Sequence, residues 1–256
     1  MNTAAVTPGT PLVRFSGEAP VALQLLCFPY AGGGAQLFRS WQALLPPDVG
    51  VTGVSLPGRE QRFREPPVGT WPEAVETLAG VFAREVVQRP YALFGHSLGA
   101  RLAYELTHRL QADGHRPPEL LVVSACRAPG VPPRWPPMHS MDGPALTDRL
   151  REMNGVPEEV LANRHMMALL DRVLRADLRL AETWVASTGR VGAPILALCG
   201  ERDDIDPYQD MVGWRDHTSA DFAIRSFPAG HFVLQERQED FVATIAARLH
   251  TLRMAT

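Results

Sequence analysis

The chain has 256 residues and a net charge of −3, with 45% hydrophobic and 21% charged residues, the balance of an ordinary soluble globular protein. No basic run tracks a phosphate backbone, and no uninterrupted apolar stretch approaches the ~20 residues needed to cross a bilayer, so neither nucleic acid nor membrane is an expected partner. The length suffices to bury a substantial core.

Residues 1–11 have neither a basic start nor a long apolar run and read as an unstructured lead to a cytoplasmic protein. The first strand-like run is VALQLLCF (21–28), which passes into a glycine-rich loop, CFPYAGGG. That loop lacks the lysine and the GK[ST] ending of a phosphate cradle. A helical pattern follows over 35–45, then a second apolar run, VGVTGVSL (49–56), and a longer amphipathic stretch over 71–88. YALFG (91–95) leads into a helical pattern over 98–113, and LLVVSA (120–125) closes this rhythm. From about 130 to 190 no strand pattern occurs. After the proline-rich APGVPPRWPP the sequence turns helical, too long for a plain crossover, so roughly 138–190 is expected to be a helical insertion within a single domain. The rhythm resumes with PILALC (194–199), a helix over 207–217, FAIRSF (222–227) and a last helix over 232–252. Near-continuous apolar strands alternating with amphipathic helices predict a doubly wound, mostly parallel α/β sheet covered on both faces. Cys27, Cys126 and Cys199 sit in or at the end of apolar runs; odd in number, they read as buried free thiols.

GHSLG (95–99) ends a buried strand and starts a helix, the setting of the nucleophile elbow of α/β-hydrolases. Side chains at either glycine of so sharp a turn would collide with neighbouring backbone, and Ser97 is pushed out at a helix N-terminus, where developing negative charge is favoured. The plainer alternative is a serine that caps the helix. A serine hydroxyl needs a base, and the base needs an orienting anion, in the order Ser, acid, His on this architecture. Of eight histidines, His231 in SFPAGHFVL follows the last strand and is the candidate base. His108, His115, His217 and His250 lie in polar helical patterns and are expected to be exposed. His139 and His165 belong to the insertion, and His96 is expected to point away from the base. The acid should follow the penultimate strand, where CGERDDIDP offers Asp203, Asp204 and Asp206; spacing favours Asp203 without separating it cleanly from Asp204. At least two of the three are expected to cap a helix or face solvent. An oxyanion pocket should combine the amide of Leu98 with one from the glycine-rich loop, for which Ala31 is the candidate.

Taken together, CFPYAGGGAQLFRSW (27–41), SLPGREQRFREPP (55–67), YALFGHSLGARLAYEL (91–106), VSACRAPG (123–130), CGERDDIDPYQDMVGW (199–214) and FPAGHFVL (227–234) resemble the type II thioesterases that accompany polyketide synthases and non-ribosomal peptide synthetases. The PGRE-x-R-x-x-EPP stretch is more specific than the elbow, since generic esterases lack it. The resemblance implies an α/β-hydrolase fold, Ser97 as nucleophile, Asp203 as acid, His231 as base, and a helical lid where this chain has its insertion. Leu98 stands where methionine is frequent, and only its backbone N–H should matter. The resemblance also implies a monomer that clears acyl groups from the phosphopantetheine arm of acyl or peptidyl carrier proteins without cofactor or metal. Met138, Met141, Met153, Met166 and Met167 fall in the insertion; flexible thioethers suit acyl chains of varied shape, and packing among short helices explains them as simply. The rivals are a small-molecule carboxylesterase and, in a different class, a non-catalytic ligand-binding protein on a hydrolase fold.

Overall fold

The computed structural model describes residues 5–6, 10–17 and 21–254. Its strands are β1 (Ala5–Val6), β2 (Leu12–Arg14), β3 (Leu23–Phe28), β4 (Val49–Val54), β5 (Tyr91–His96), β6 (Leu121–Ser124), β7 (Ile195–Gly200) and β8 (Phe222–Phe227). They form one eight-stranded sheet in the order β1-β2-β4-β3-β5-β6-β7-β8. β3 through β8 pair in parallel, while β2 runs antiparallel to both β1 and β4. The chain moves one way from β3 to β4 and the other way from β3 to β5, so the loops after β3 and β5 face one another outside the carboxyl ends of the sheet. Open α/β sheets bind ligands at such a reversal.

The expected lead over 1–11 is partly corrected: Ala5 and Val6 pair with Arg14 and Val13, and residues 1–4 and 7–9 of it lie outside the described residues. Such short edge strands carry too little pattern to be read from sequence.

Alternation along the strands divides the core in two. Leu26, Phe28, Leu93, Val123 and Ala197 face one side, against α1 (Trp71–Glu85) and α2 (Leu98–Ala112). Leu25, Cys27, Phe94, Val122 and Leu198 face the other, the period-2 geometry of a strand. There they meet a 3-10 helix, Ala35–Ala43, and the C-terminal helix. The first expected helix is 3-10, and its buried residues Ala35, Phe38 and Trp41 recur every third position, as three residues per turn requires. The final pattern is split into two helices around Arg237, Val233–Glu236 and Gln238–Met254.

Between β6 and β7 the chain forms a 3-10 turn, Met138–Ser140, then α3 (Gly143–Glu152), α4 (Glu158–Leu161) and α5 (Arg164–Glu182). These helices share a small core of their own around Leu146, Leu150, Leu161 and Leu174. All three cysteines are free and buried.

Candidate active site

Ser97 precedes α2 at φ 54° and ψ −113° and makes no side-chain capping bond. The helix-cap explanation of this serine therefore fails. Its backbone sits in a region that costs on the order of 1–3 kcal/mol and persists only where the surroundings enforce it. The enforcement is visible: a Cβ on Gly95 would lie 2.1 Å from the Gly99 carbonyl oxygen, and one on Gly99 would lie 2.2 Å from that of Phe28. The Ser97 amide donates to the Ser124 carbonyl at 2.8 Å, fixing the turn to the end of β6.

The candidate acid and base come from the loops after β7 and β8. These loops touch through their backbones, since a Cβ on Gly200 would lie 2.1 Å from the Gly230 carbonyl oxygen. His231 Nδ1 is 2.9 Å from Asp203 Oδ2, and Asp203 Oδ1 accepts from the backbone N–H of Ile205 at 2.9 Å and of Asp206 at 3.1 Å. Burial alone would raise the Asp203 pKa, but the His231 charge and these hydrogen bonds outweigh it and hold the carboxyl below its ordinary range. His231 mirrors this: burial pulls its pKa down, and the Asp203 charge and hydrogen bond carry it above the usual histidine value.

Ser97 and His231 line one cavity of about 90 Å³, together with Met138, Met153, Leu178 and Trp135. Leu98 is the first residue of α2, so its N–H belongs to the group that a helix leaves without an internal partner. Ala31 lies in the loop after β3, whose Phe28 is in register with Gly95, and this sets the glycine-rich loop beside the elbow. Tyr30 ties that loop to the base: its ring meets Phe232 at 5.0 Å, and its hydroxyl accepts from Gln235 Nε2 at 2.7 Å.

Several expectations are corrected. His96 does not point away from the base: its ring lies 5.4 Å from that of His231, its Nδ1 is 3.0 Å from Ser124 Oγ, and it is fully buried. Burial, and then the His231 charge, hold its pKa well below the usual value, so it stays neutral and adds no competing cation. Alternation along β5 cannot reveal this, because every residue of that strand is buried. Of the four histidines expected to be exposed only His250 is; His108, His115 and His217 are half-buried. Among the acids, Asp204 faces solvent, but Asp206 is buried against Arg127 at 3.1 Å and Arg101 at 4.0 Å. The methionines divide as well. Met138 and Met153 reach the cavity, Met141 and Met167 pack within the insertion, and Met166 is 45% exposed. Among the described residues no group of three or more His, Cys, Asp or Glu side chains could hold a metal ion, and no helix is long and apolar enough to cross a membrane.

The Thioesterase domain family matches residues 23–249. The chain is 32% identical over 238 residues to the gramicidin S biosynthesis protein GrsT of Aneurinibacillus migulanus, covering 93% of each chain. Among solved structures, the thioesterase RedJ from the prodiginine pathway of Streptomyces coelicolor superposes with a TM-score of 0.84 at 34% identity, over 91% of this chain and 94% of that one. The type II thioesterase BorB from the borrelidin biosynthetic cluster does so with a TM-score of 0.86 at 33% identity, over 96% of this chain and 100% of the other.

Proposed function

The chain belongs to the thioesterase family, and on that premise we propose that it is a type II thioesterase that hydrolyses acyl groups from the phosphopantetheine thiol of acyl or peptidyl carrier proteins. Such an enzyme would act in the cytoplasm and restart polyketide or non-ribosomal peptide assembly lines stalled by unwanted acyl groups.

In this reading Ser97 Oγ attacks the thioester carbonyl while His231 Nε2 takes its proton. Asp203 holds the Nδ1 proton and stabilises the imidazolium. The amides of Leu98 and Ala31 face the oxyanion of the tetrahedral intermediate, where one donor is worth roughly 2.7–4 kcal/mol. Collapse expels the pantetheine thiol with the proton from His231. A water, activated by the same imidazole, then releases the acid and restores the serine.

The observation that carries the reading is the Asp203–His231 hydrogen bond beside a serine held in a strained turn with its hydroxyl free of any helix-capping bond. A non-catalytic binding protein would have no use for that combination. The test is intact-mass analysis of a panel of acyl-loaded carrier proteins incubated with the enzyme, and with Ser97→Ala, which removes one hydroxyl and little packing. Deacylation by the wild-type protein and none by the variant is expected. Turnover by Ser97→Ala within tenfold of wild type would exclude a serine mechanism.

A further inference from the structure

Arg59, in the PGRE stretch, and Asp177, on α5, form a buried two-point ion pair. Arg59 Nη1 is 2.6 Å from Asp177 Oδ2, and Nη2 is 2.8 Å from Oδ1. The pair also grips the glycine-rich loop. Asp177 Oδ2 accepts from the Gly32 N–H at 2.8 Å, and Arg59 Nη1 donates to the Gly33 carbonyl at 2.9 Å. One carboxylate and one guanidinium thus hold two consecutive residues directly after Ala31, one through a donor and the other through an acceptor. Gly32 itself is covered by Leu170 and Leu174 of α5, each within 3.4 Å of where a Cβ would stand.

This part of α5 is fixed to the body of the protein. Trp71 Nε1 donates to the Leu180 carbonyl at 2.9 Å, and Arg101 Nη1 to the Ala181 carbonyl at 2.5 Å. The opposite end of the same helix exposes Met166 and Leu169. Asp177 therefore lies on the anchored half of the insertion and can serve as a fixed reference for the loop.

We propose that Arg59 and Asp177 are positioning residues: they hold the 31–34 loop against the anchored half of α5 so that the Ala31 amide meets the oxyanion. The proposal rests on the oxyanion role given to Ala31 above. A buried ion pair is not in general a source of stability, because apolar residues of similar volume often replace it at no cost. Two arms of the test use this fact. In Asp177→Ala, Arg59 loses its counter-charge and Gly32 loses its acceptor; in Arg59→Met/Asp177→Leu the pair is replaced by packing.

The assay is hydrolysis of a short nitrophenyl ester, with kcat expressed per site labelled to completion by a fluorophosphonate, so that only folded, serine-competent molecules are counted. Arg175→Ala is the control. Arg175 pairs with Asp171 on the same helix and donates to the carbonyls of His139 and Met141, without touching the loop. We expect Asp177→Ala to lower both kcat per site and Tm. The double variant should regain Tm yet keep a kcat per site at least tenfold below wild type, with KM within threefold and the acid limb of the pH profile unmoved. Arg59→Lys, which keeps the charge but loses the fork, should lie between. In the control, Tm should fall without loss of kcat per site. A double variant with wild-type kcat per site would overturn the proposal, as would an Arg59→Lys variant with wild-type kcat per site should the double variant fail to fold. If the wild-type protein neither labels nor hydrolyses thioesters, the thioesterase reading fails instead.

Discussion

Replacing Asp203 by asparagine should disable the site through the wrong proton position on His231. Asp203 Oδ1 accepts two backbone N–H groups, from Ile205 and Asp206, while Oδ2 faces His231 Nδ1. An asparagine that keeps its oxygen on the two donors must turn its NH2 toward His231. The imidazole then accepts at Nδ1 and carries its proton on Nε2, where it cannot receive the proton of Ser97. The opposite amide orientation leaves two buried donors unpaired, a penalty of roughly 3 kcal/mol at about 1.5 kcal/mol each. At about 1.4 kcal/mol per factor of ten, the unproductive arrangement is favoured by about 100-fold. Loss of the negative charge beside the imidazolium adds a further factor of roughly ten or more, so kcat should fall by about 10³-fold or more, toward the roughly 10⁴-fold that such a change produces in a serine triad. Steady-state hydrolysis of a short nitrophenyl ester and of an acyl-loaded carrier protein measures this, alongside thermal melting. The pH profile supplies a second reading. Protonated His231 cannot act as a base, so wild-type kcat/KM should fall as pH drops through a value above 6.5, where Asp203 holds the His231 pKa. With the carboxylate gone, burial dominates and the acid limb should move to lower pH. A loss of less than tenfold, with an unmoved acid limb, would refute the argument.

Gly99→Ala would set a methyl 2.2 Å from the Phe28 carbonyl oxygen; we expect a loss of about 3 kcal/mol or more, seen as a fall in Tm of at least ~6 °C, together with slower fluorophosphonate labelling. Asp206→Asn would leave Arg127 and Arg101 without their buried counter-charge, at a cost of about 3–5 kcal/mol. Asp204→Asn, at the surface, should stay within about 0.5 kcal/mol, and equal denaturant midpoints for the two would contradict this division. Met153→Gln, at the cavity beside Ser97, should change the order of preference in a competition among acyl chains on a carrier protein. Met166→Gln, on the exposed face, should leave that order as it is.

The inner strands were legible because each is buried on both faces and written almost entirely in apolar residues, as in Leu23–Phe28 and Ile195–Gly200. The elbow was legible because its constraint is local: a strand, five residues and a helix. Contacts made across long sequence separations left no such trace. Arg59 and Asp177 stand 118 positions apart, and nothing in either neighbourhood marks the other as a partner. Asp206 looked like one of several loop acids, and its burial depends on arginines from α2 and from the segment after β6. The direction of a methionine around α5 was equally hidden, because Met166 and Met167 are neighbours in sequence but point about 100° apart on a helix.

The three buried cysteines acquire a meaning beside the proposed reaction. Thioester chemistry is reversible by thiol exchange, and each hydrolytic turnover would free a pantetheine thiol at the protein surface. A reactive cysteine there could take up the acyl group itself or trap the freed arm as a mixed disulfide. Burial pushes the Cys126 pKa up to about 11 and that of Cys199 to about 12, and raises that of Cys27 well above its usual value. At neutral pH these thiols stay protonated and so lack the thiolate, the form that attacks, and none of the three side chains reaches solvent. The thiol of the substrate thus meets no competing thiolate on the enzyme, and the acyl group is left to the serine oxygen.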